Sequence, residues 1–492
     1  MVARFFRRTR PQGEEATTHT ANDAAVSDGS LQYIVEKAGN TDEVAYQEAS
    51  GAPVESNSPL GYSAGAITII FLNLSKMIGT GIYSTPSTIL AYTGSIGAAM
   101  FYWTSGFFIS LSSMGVYLEY AAYFPSRSGS EVAYLEQAYP RPKFFFPVVF
   151  AVQSVLLSFA SSNAIVLAQY LYAISSAEPS AWELKGVAVA GYTNPIKAIK
   201  KNGFIALLLV TVLYILANIA FFAAVPRAEL ENAEQIAASL FFQHIFGSNS
   251  AVKGLNFLIA LSAFGNLLAV LIGQSRQIRE CGRQGVLPYP NFWASTRPFG
   301  TPLGPYFIVW FLTVIMIIAP PAGDAFNFIV DLQVYPASVF NLALAFGLIF
   351  IRRRRKRLGL PRPSFKVCEW VLAVNILVNL YLVVMPWYPP PGGKGDVSFW
   401  YGTYIVTGIA IFALCALYHV GWIYVLPEVR GYRIRQGVIT LDSGAKTHKL
   451  FKVPVAELAA WDASHDAHGN DLHDTASSDR DIQFGGNIID KA

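Results

Sequence analysis

The chain has 492 residues, 53% of them apolar, 14% aromatic and only 14% charged, against roughly 25% charged in ordinary soluble domains. That balance excludes a string of soluble domains. The net charge of +4 points to no nucleic-acid partner, because the basic residues stand beside apolar runs rather than on one face of a domain. Cys281, Cys368 and Cys415 are too few for a disulfide framework and show no metal-ligand spacing.

Residues 1–58 are polar, with Arg4, Arg7, Arg8 and Arg10 ahead of acidic and Ser/Thr-rich sequence. No apolar segment with a cleavage site follows, so this stretch reads as a disordered cytosolic tail and not as a signal peptide. A transit peptide is the rival for residues 1–10, disfavoured by the acidic residues soon after. Residues 59–425 read as a transmembrane domain. A crossing needs about 20 apolar residues to span roughly 30 Å of hydrocarbon, and about nine stretches qualify. They are Leu60–Tyr92, Ile96–Phe124, Phe144–Ile174, Phe204–Val225, Leu255–Ile272, Leu303–Ile318, Phe326–Ile351, Val371–Met385 and Tyr401–Val425. The fold class is therefore all-α and polytopic, with the lipid bilayer as its surroundings. Residues 426–492 read as a cytosolic and mostly disordered tail. Both tails are the expected docking places for trafficking or ubiquitination machinery.

Lys and Arg in short loops set the orientation. Arg127, Arg141 and Lys143, then Lys197, Lys200 and Lys201, then Arg276, Arg279 and Arg283, and finally the run from Arg352 to Arg357 all mark the cytosolic side. The run Arg352 to Arg357 anchors topology; a specific anionic-lipid site is its other reading. The segment from Arg227 to Ser250, with Glu229, Glu231 and Glu234, reads as external. These anchors conflict at one place. The third span must end outside and the fourth must start inside, yet only Gly186–Thr193 is apolar between them. As a helix that run covers about 12 Å, and an extended crossing would leave backbone groups unpaired in lipid at several kcal/mol each. One crossing is missing, and a deletion near 186–196 accounts for it.

The first span carries the most informative motif, Lys76-Met77-Ile78-Gly79-Thr80-Gly81-Ile82, followed by Ser84, Thr85 and Pro86. Two glycines around a threonine weaken a helix at mid-membrane and permit a break. A break frees N–H groups, whose partial positive charge suits a carboxylate, and C=O groups, which suit an ammonium. Each helix-end contact is worth about 0.3–2 kcal/mol, so several must converge on one zwitterion. The competing reading is a small-residue face for close helix packing.

Residues Met77 to Ser87 (MIGTGIYSTPS) resemble the first-helix signature of the amino acid–polyamine–organocation superfamily, and in particular the fungal methionine permeases of its L-type branch. Gly115–Glu119 with Pro125–Glu131, Arg276–Pro288, Asn327–Pro336, Gly431–Leu441 and Val453–Leu458 extend the likeness over most of residues 60–460. The resemblance implies a LeuT-like fold of two inverted five-helix repeats plus two further helices. It places the substrate-backbone site on Ile78, Gly79, Thr80 and Gly81, with Met77 and Ile82 as neighbours. It also implies that about three helices are absent between Trp182–Ala190, which look like the start of the fourth, and Asn194-Pro195, which look like the loop after the sixth. A gene-model error and a natural shortened paralogue are the two explanations.

Other polar residues each carry two readings. Asp331 is a site candidate as an intramembrane acid or a helix cap. Lys76 holds an inner gate or snorkels. Asn266 reaches a ligand or bonds a neighbouring helix. Glu119, near the inner surface, suits a packing or gating partner for nearby basic residues. His465, His468 and His473 with Asp462, Asp466 and Asp471 suggest metal only superficially, since a flexible tail fixes no geometry, and no metal or other cofactor is expected. The expected function is secondary active transport of a neutral L-amino acid such as methionine across the plasma membrane, coupled to H⁺. The likeness puts proton coupling on a fifth helix that the chain lacks, which leaves an inactive form open. A non-transporting amino-acid receptor or degenerate paralogue is the alternative. An enzyme is not expected, for HExxH, GxSxG and Walker-type loops are absent.

Overall fold

The computed structural model describes the chain except for residues 1–25, 28–31, 38–43, 49–51, 54–76, 79–80, 125–127, 162–163, 165–166, 172–202, 232–236, 248, 320–324, 358, 360–361, 364, 391–398, 466–468, 470 and 472–492. The 186–196 segment of the parity conflict, Lys76, Gly79 and Thr80 thus lie outside the described residues.

Eleven principal helices follow one another among the described residues: α1 (Gly81–Thr93), α2 (Ile96–Tyr123), α3 (Glu131–Ala138), α4 (Phe145–Leu156), α5 (Gly203–Ala224), α6 (Ala237–Phe246), α7 (Asn249–Arg283), α8 (Leu303–Ile318), α9 (Ala325–Arg357), α10 (Glu369–Val384) and α11 (Thr403–Val420). Helix ends agree with the sequence reading to within a few residues for α2, α5, α8 and α10. By contrast, α7 runs past its expected end at Ile272 as far as Arg283, carrying the polar QSRQIRECGR segment beyond the apolar zone. Among the described residues, five helical stretches are long and apolar enough to cross a membrane, Leu207–Ala224, Ser250–Arg283, Phe328–Arg357, Glu369–Trp387 and Thr403–Arg430. At 16 residues α8 covers about 24 Å, short of a full crossing unless its flanks contribute.

The apolar residues of α5 lie all round it, and Leu208, Leu209, Val212, Leu213, Leu216 and Ile219 are exposed. A helix that turns apolar side chains outward is adapted to lipid. Inside, the two largest of four apolar clusters among the described residues hold the helices together. One joins α2, α3, α4, α9 and α11 through residues such as Tyr120, Leu135, Phe150, Phe340 and Leu348. The other joins α1, α5, α6, α7 and α8 through residues such as Leu90, Phe221, Ala263 and Val309. Tyrosines stitch α2 and α3 to α9: Tyr120 Oη donates to Leu344 O at 2.8 Å and Tyr139 Oη to Ala343 O at 2.7 Å. Gly347 on α9 permits that approach, since a Cβ there would lie 2.6 Å from Ala138 Cβ and 2.7 Å from Tyr120 Oη.

The tails differ from expectation. Within 1–58, strands β1 (Val26–Ser27), β2 (Gln32–Lys37) and β3 (Val44–Glu48) form an antiparallel sheet. After α11, a π-helical turn (Gly421–Val425) and a short helix (Leu426–Arg430) end at Gly431, whose φ of +67° is the left-handed stop that glycine supplies. The chain then folds into a hairpin of β4 (Tyr432–Thr440) and β5 (Lys446–Pro454), paired from Tyr432↔Pro454 to Thr440↔Lys446. The segment expected to be mostly disordered is therefore structured to Ser464, where the helix Leu458–Ser464 closes it. Its order comes from Phe451, Trp461 and His465, which pack together with ring centroids 5.0 and 3.8 Å apart.

Candidate functional site

The described residues on either side of Gly79 and Thr80 include a bend. Met77 is helical, Ile78 lies in a bend, and α1 starts at Gly81. Carbonyls near the bend face polar groups of two other helices. Tyr214 Oη on α5 donates to Met77 O, and Ser262 Oγ on α7 lies 3.5 Å from Ile78 O. Thr85 Oγ1 donates back to Gly81 O at 2.6 Å. A Cβ added to Gly81 would meet no described heavy atom within 4 Å, so the first turn of α1 opens on free space there. Ile82 turns the other way and is 4% exposed. Tyr170 Oη closes the next turn on Tyr83 O at 3.1 Å.

Of the other candidates, Asn266 is buried on α7. Asp331 is half-buried inside α9, well past that helix's first residue, so it does not occupy a capping position. His465 stacks on Trp461, whereas His468, His473 and Asp466 lie outside the described residues.

A second backbone break escaped the sequence reading. The third span, expected as one run from Phe144 to Ile174, ends its first helix at Leu156 and is non-helical from Ser158 to Ala160 before turning helical again at Ser161. Three of the peptide groups at this break are claimed by side chains. Gln333 Nε2 on α9 donates to Leu157 O at 3.2 Å and Phe159 O at 2.6 Å, and Ala160 N donates to Thr313 Oγ1 on α8 at 3.0 Å. A buried peptide group without a partner costs about 1–3 kcal/mol, so Gln333 and Thr313 are what make this break tolerable. A glutamine inside an apolar stretch was the legible signal.

The C-terminal ends of α2, α7 and α9 are held by buried charge. Glu119 on α2 has no exposed surface and receives Arg352 Nε at 2.7 Å, Arg352 Nη2 at 2.5 Å and Val367 N at 2.7 Å. That fulfils its reading as a partner of nearby basic residues. Arg354 donates to Gln137 O and Arg355 lies over the Tyr123 ring at 5.0 Å, so half of the polybasic run engages protein rather than lipid. Farther along, Arg283 gathers three parts of the chain: Nη2 donates to Pro53 O at 2.6 Å, Nε to Lys446 O at 2.9 Å and Nη1 to Ser128 Oγ at 3.0 Å. Its charge is balanced by Glu280 at 2.6 Å. The N-terminal segment, the loop after α2 and the C-terminal hairpin thus meet on one side chain that is 2% exposed.

Known proteins resemble this chain throughout. The sequence profile of the amino acid permease family matches residues 65–193 and 192–412. The high-affinity methionine permease of Saccharomyces cerevisiae is 28% identical over 485 residues, covering 79% of this chain and 84% of the yeast protein. The low-affinity methionine permease of the same yeast is 23% identical over 532 residues, covering 88% and 96%. The mouse b(0,+)-type amino acid transporter 1 is 28% identical over 229 residues, covering 46% and 44%. In the first of these alignments 79% of this chain amounts to about 390 residues, so nearly a hundred of the 485 aligned positions have no counterpart here. The second gives nearly the same shortfall, and the family match restarts at residue 192. With its apolar spanning helices, the chain is a multi-pass membrane protein, and it belongs to the amino acid permease family.

Proposed function

We propose that this protein binds a neutral L-amino acid, methionine or a close apolar relative, at the helix break of residues 77–82 for secondary active transport across the plasma membrane. The observation that carries this reading is the bend at Ile78 just ahead of the start of α1, with no described heavy atom within 4 Å of a Cβ built on Gly81. N–H groups at such a start attract a carboxylate, and the carbonyls on the other side attract an ammonium. Likeness to two yeast methionine permeases supports the choice of substrate. The fold of this reading is LeuT-like, with about nine crossings, both tails cytosolic and H⁺ as the coupling ion. Lys76, Asn266 and Asp331 are its gating or coupling candidates.

The shortfall of nearly a hundred aligned positions, together with the split of the family match at 192–193, supports a deletion near 186–196. About three crossings with short loops need about 90 residues, the size of that shortfall. The same observation favours a second reading, an amino-acid receptor or degenerate paralogue that binds without transport. Uptake of radiolabelled methionine by permease-deficient yeast separates them: the restored full-length chain transports, and the chain as it stands does not. Failure of the restored chain with every amino acid refutes transport. Sequencing the transcript across codons 185–200 tells a gene-model error, which shows about 90 extra codons, from a shortened protein, which shows none.

A further inference from the structure

A polar cavity of about 230 Å³ lies among α2, α3, α4, α7 and α9, and neither Met77, Ile78, Gly81 nor Ile82 is among its described lining residues. Among its described lining residues only Glu131, at the start of α3, is charged. Tyr117 Oη donates to Glu131 Oε1 at 2.7 Å, and Gln277 Nε2 approaches Oε2 at 3.3 Å. Neither neighbour is a cation, and no Lys, Arg or His is among the described residues that line the space. Gln274 also faces it, and its Oε1 is buried with no hydrogen-bond donor among the described residues. Phe150 and Phe340 form an aromatic wall, their ring centroids 5.0 Å apart at 82°.

We propose that this cavity is a binding site for a small organic molecule bearing a primary ammonium group. An ammonium has three donors and one positive charge. The cavity offers a carboxylate, an unclaimed amide oxygen and aromatic faces that attract cations, with no group to receive an anion's charge. Its volume lies below the roughly 300–1,000 Å³ of drug-sized pockets, which limits the guest to a few heavy atoms. A merely structural role for Glu131, as an acid in the first turn of a helix, accounts for its charge. It does not account for the orphan acceptor on Gln274 across the same space. The loop bearing α3 reads as cytosolic, so the site belongs to the inner half of the protein and is separate from the helix break.

The test uses the full chain in detergent micelles and n-propylammonium chloride, which has no carboxylate for the helix-break site. Saturation-transfer NMR is expected to give a saturable signal that sodium chloride and sodium propionate at equal ionic strength do not abolish. Glu131→Gln is expected to weaken binding about tenfold or more, as loss of a charged hydrogen-bond partner does. Gln274→Met, which keeps the shape and leaves Glu131 in place, is expected to weaken it several-fold and carries the test if Glu131→Gln does not fold. Gly81→Val at the helix break is expected to leave n-propylammonium binding within twofold while abolishing methionine binding, so either site can fail without the other. No saturable signal in the unaltered chain, complete displacement by sodium, or binding within twofold in either cavity variant overturns the proposal.

Discussion

Replacing Arg352 with methionine removes a guanidinium and leaves most of its stem, which isolates the electrostatic contribution of the α2–α9 tie. Glu119 would keep its position with no exposed surface and lose two of its three donors, retaining Val367 N. Breaking a buried pair from one side costs about 3–5 kcal/mol, because the remaining charge is stranded in a low-dielectric site. Glu119→Gln is milder. Arg352 would still reach Glu369, 68% exposed, at 2.7 Å and Val367 O at 2.8 Å, so the expected loss is about 1.5–3 kcal/mol. With both changes no stranded charge remains, and the double variant should be more stable than the sum of single losses predicts, by roughly 1–3 kcal/mol. Unfolding by SDS titration in mixed micelles, followed by tryptophan fluorescence, measures all four corners of the cycle. A loss below about 1 kcal/mol for Arg352→Met, or additivity within about 0.5 kcal/mol, refutes the reasoning.

Arg283→Met should release the hairpin and the Pro53 segment together, seen as faster tryptic cleavage in the Lys446–Lys452 strand; cleavage at the unaltered rate would mean that the arginine is not the tie. Gly304→Ala places a Cβ 2.1 Å from Phe292 O, a backbone atom that cannot swing aside, and should cost about 1–3 kcal/mol in the same unfolding assay. Gly81→Ala meets open space and should leave stability nearly unchanged while lowering methionine binding, which equilibrium dialysis reads. Arg435 donates to Asp462 at 2.7 and 2.9 Å and holds its carboxyl below the usual range. Stability from such a depressed acid is present above its unfolded value near pH 3.9 and fades as pH falls through the folded value. Because Asp462 is half-exposed, the pair contributes only about 0–1 kcal/mol. Thermal midpoints of Asp462→Asn and the unaltered chain should differ slightly at pH 5 and converge near pH 3; a gap that widens toward acid contradicts the assignment.

The contrast between these two ion pairs shows where sequence reasoning stops. Both bring an arginine Nε within 2.7 Å of a carboxylate oxygen. Only the burial of Glu119 makes one a large term, and burial is a property of the assembled helices. Likewise Gln333 and Asp331 are both polar residues within the same apolar stretch. The structure gives Gln333 the open peptide groups of Leu157 and Phe159, partners more than 170 positions away in the chain.

What the sequence determined by itself is whatever depends on local composition: the membrane class, several helix ends and the place of the glycine motif, because lipid demands long uninterrupted apolar runs and punishes unpaired backbone. What only the tertiary structure decided is whatever depends on distant partners. The unwound third span, the hairpin seated on Arg283 and the cavity around Glu131 each require groups from several helices to meet. No period or motif along the chain records such meetings, since they arise from packing geometry rather than from neighbouring residues.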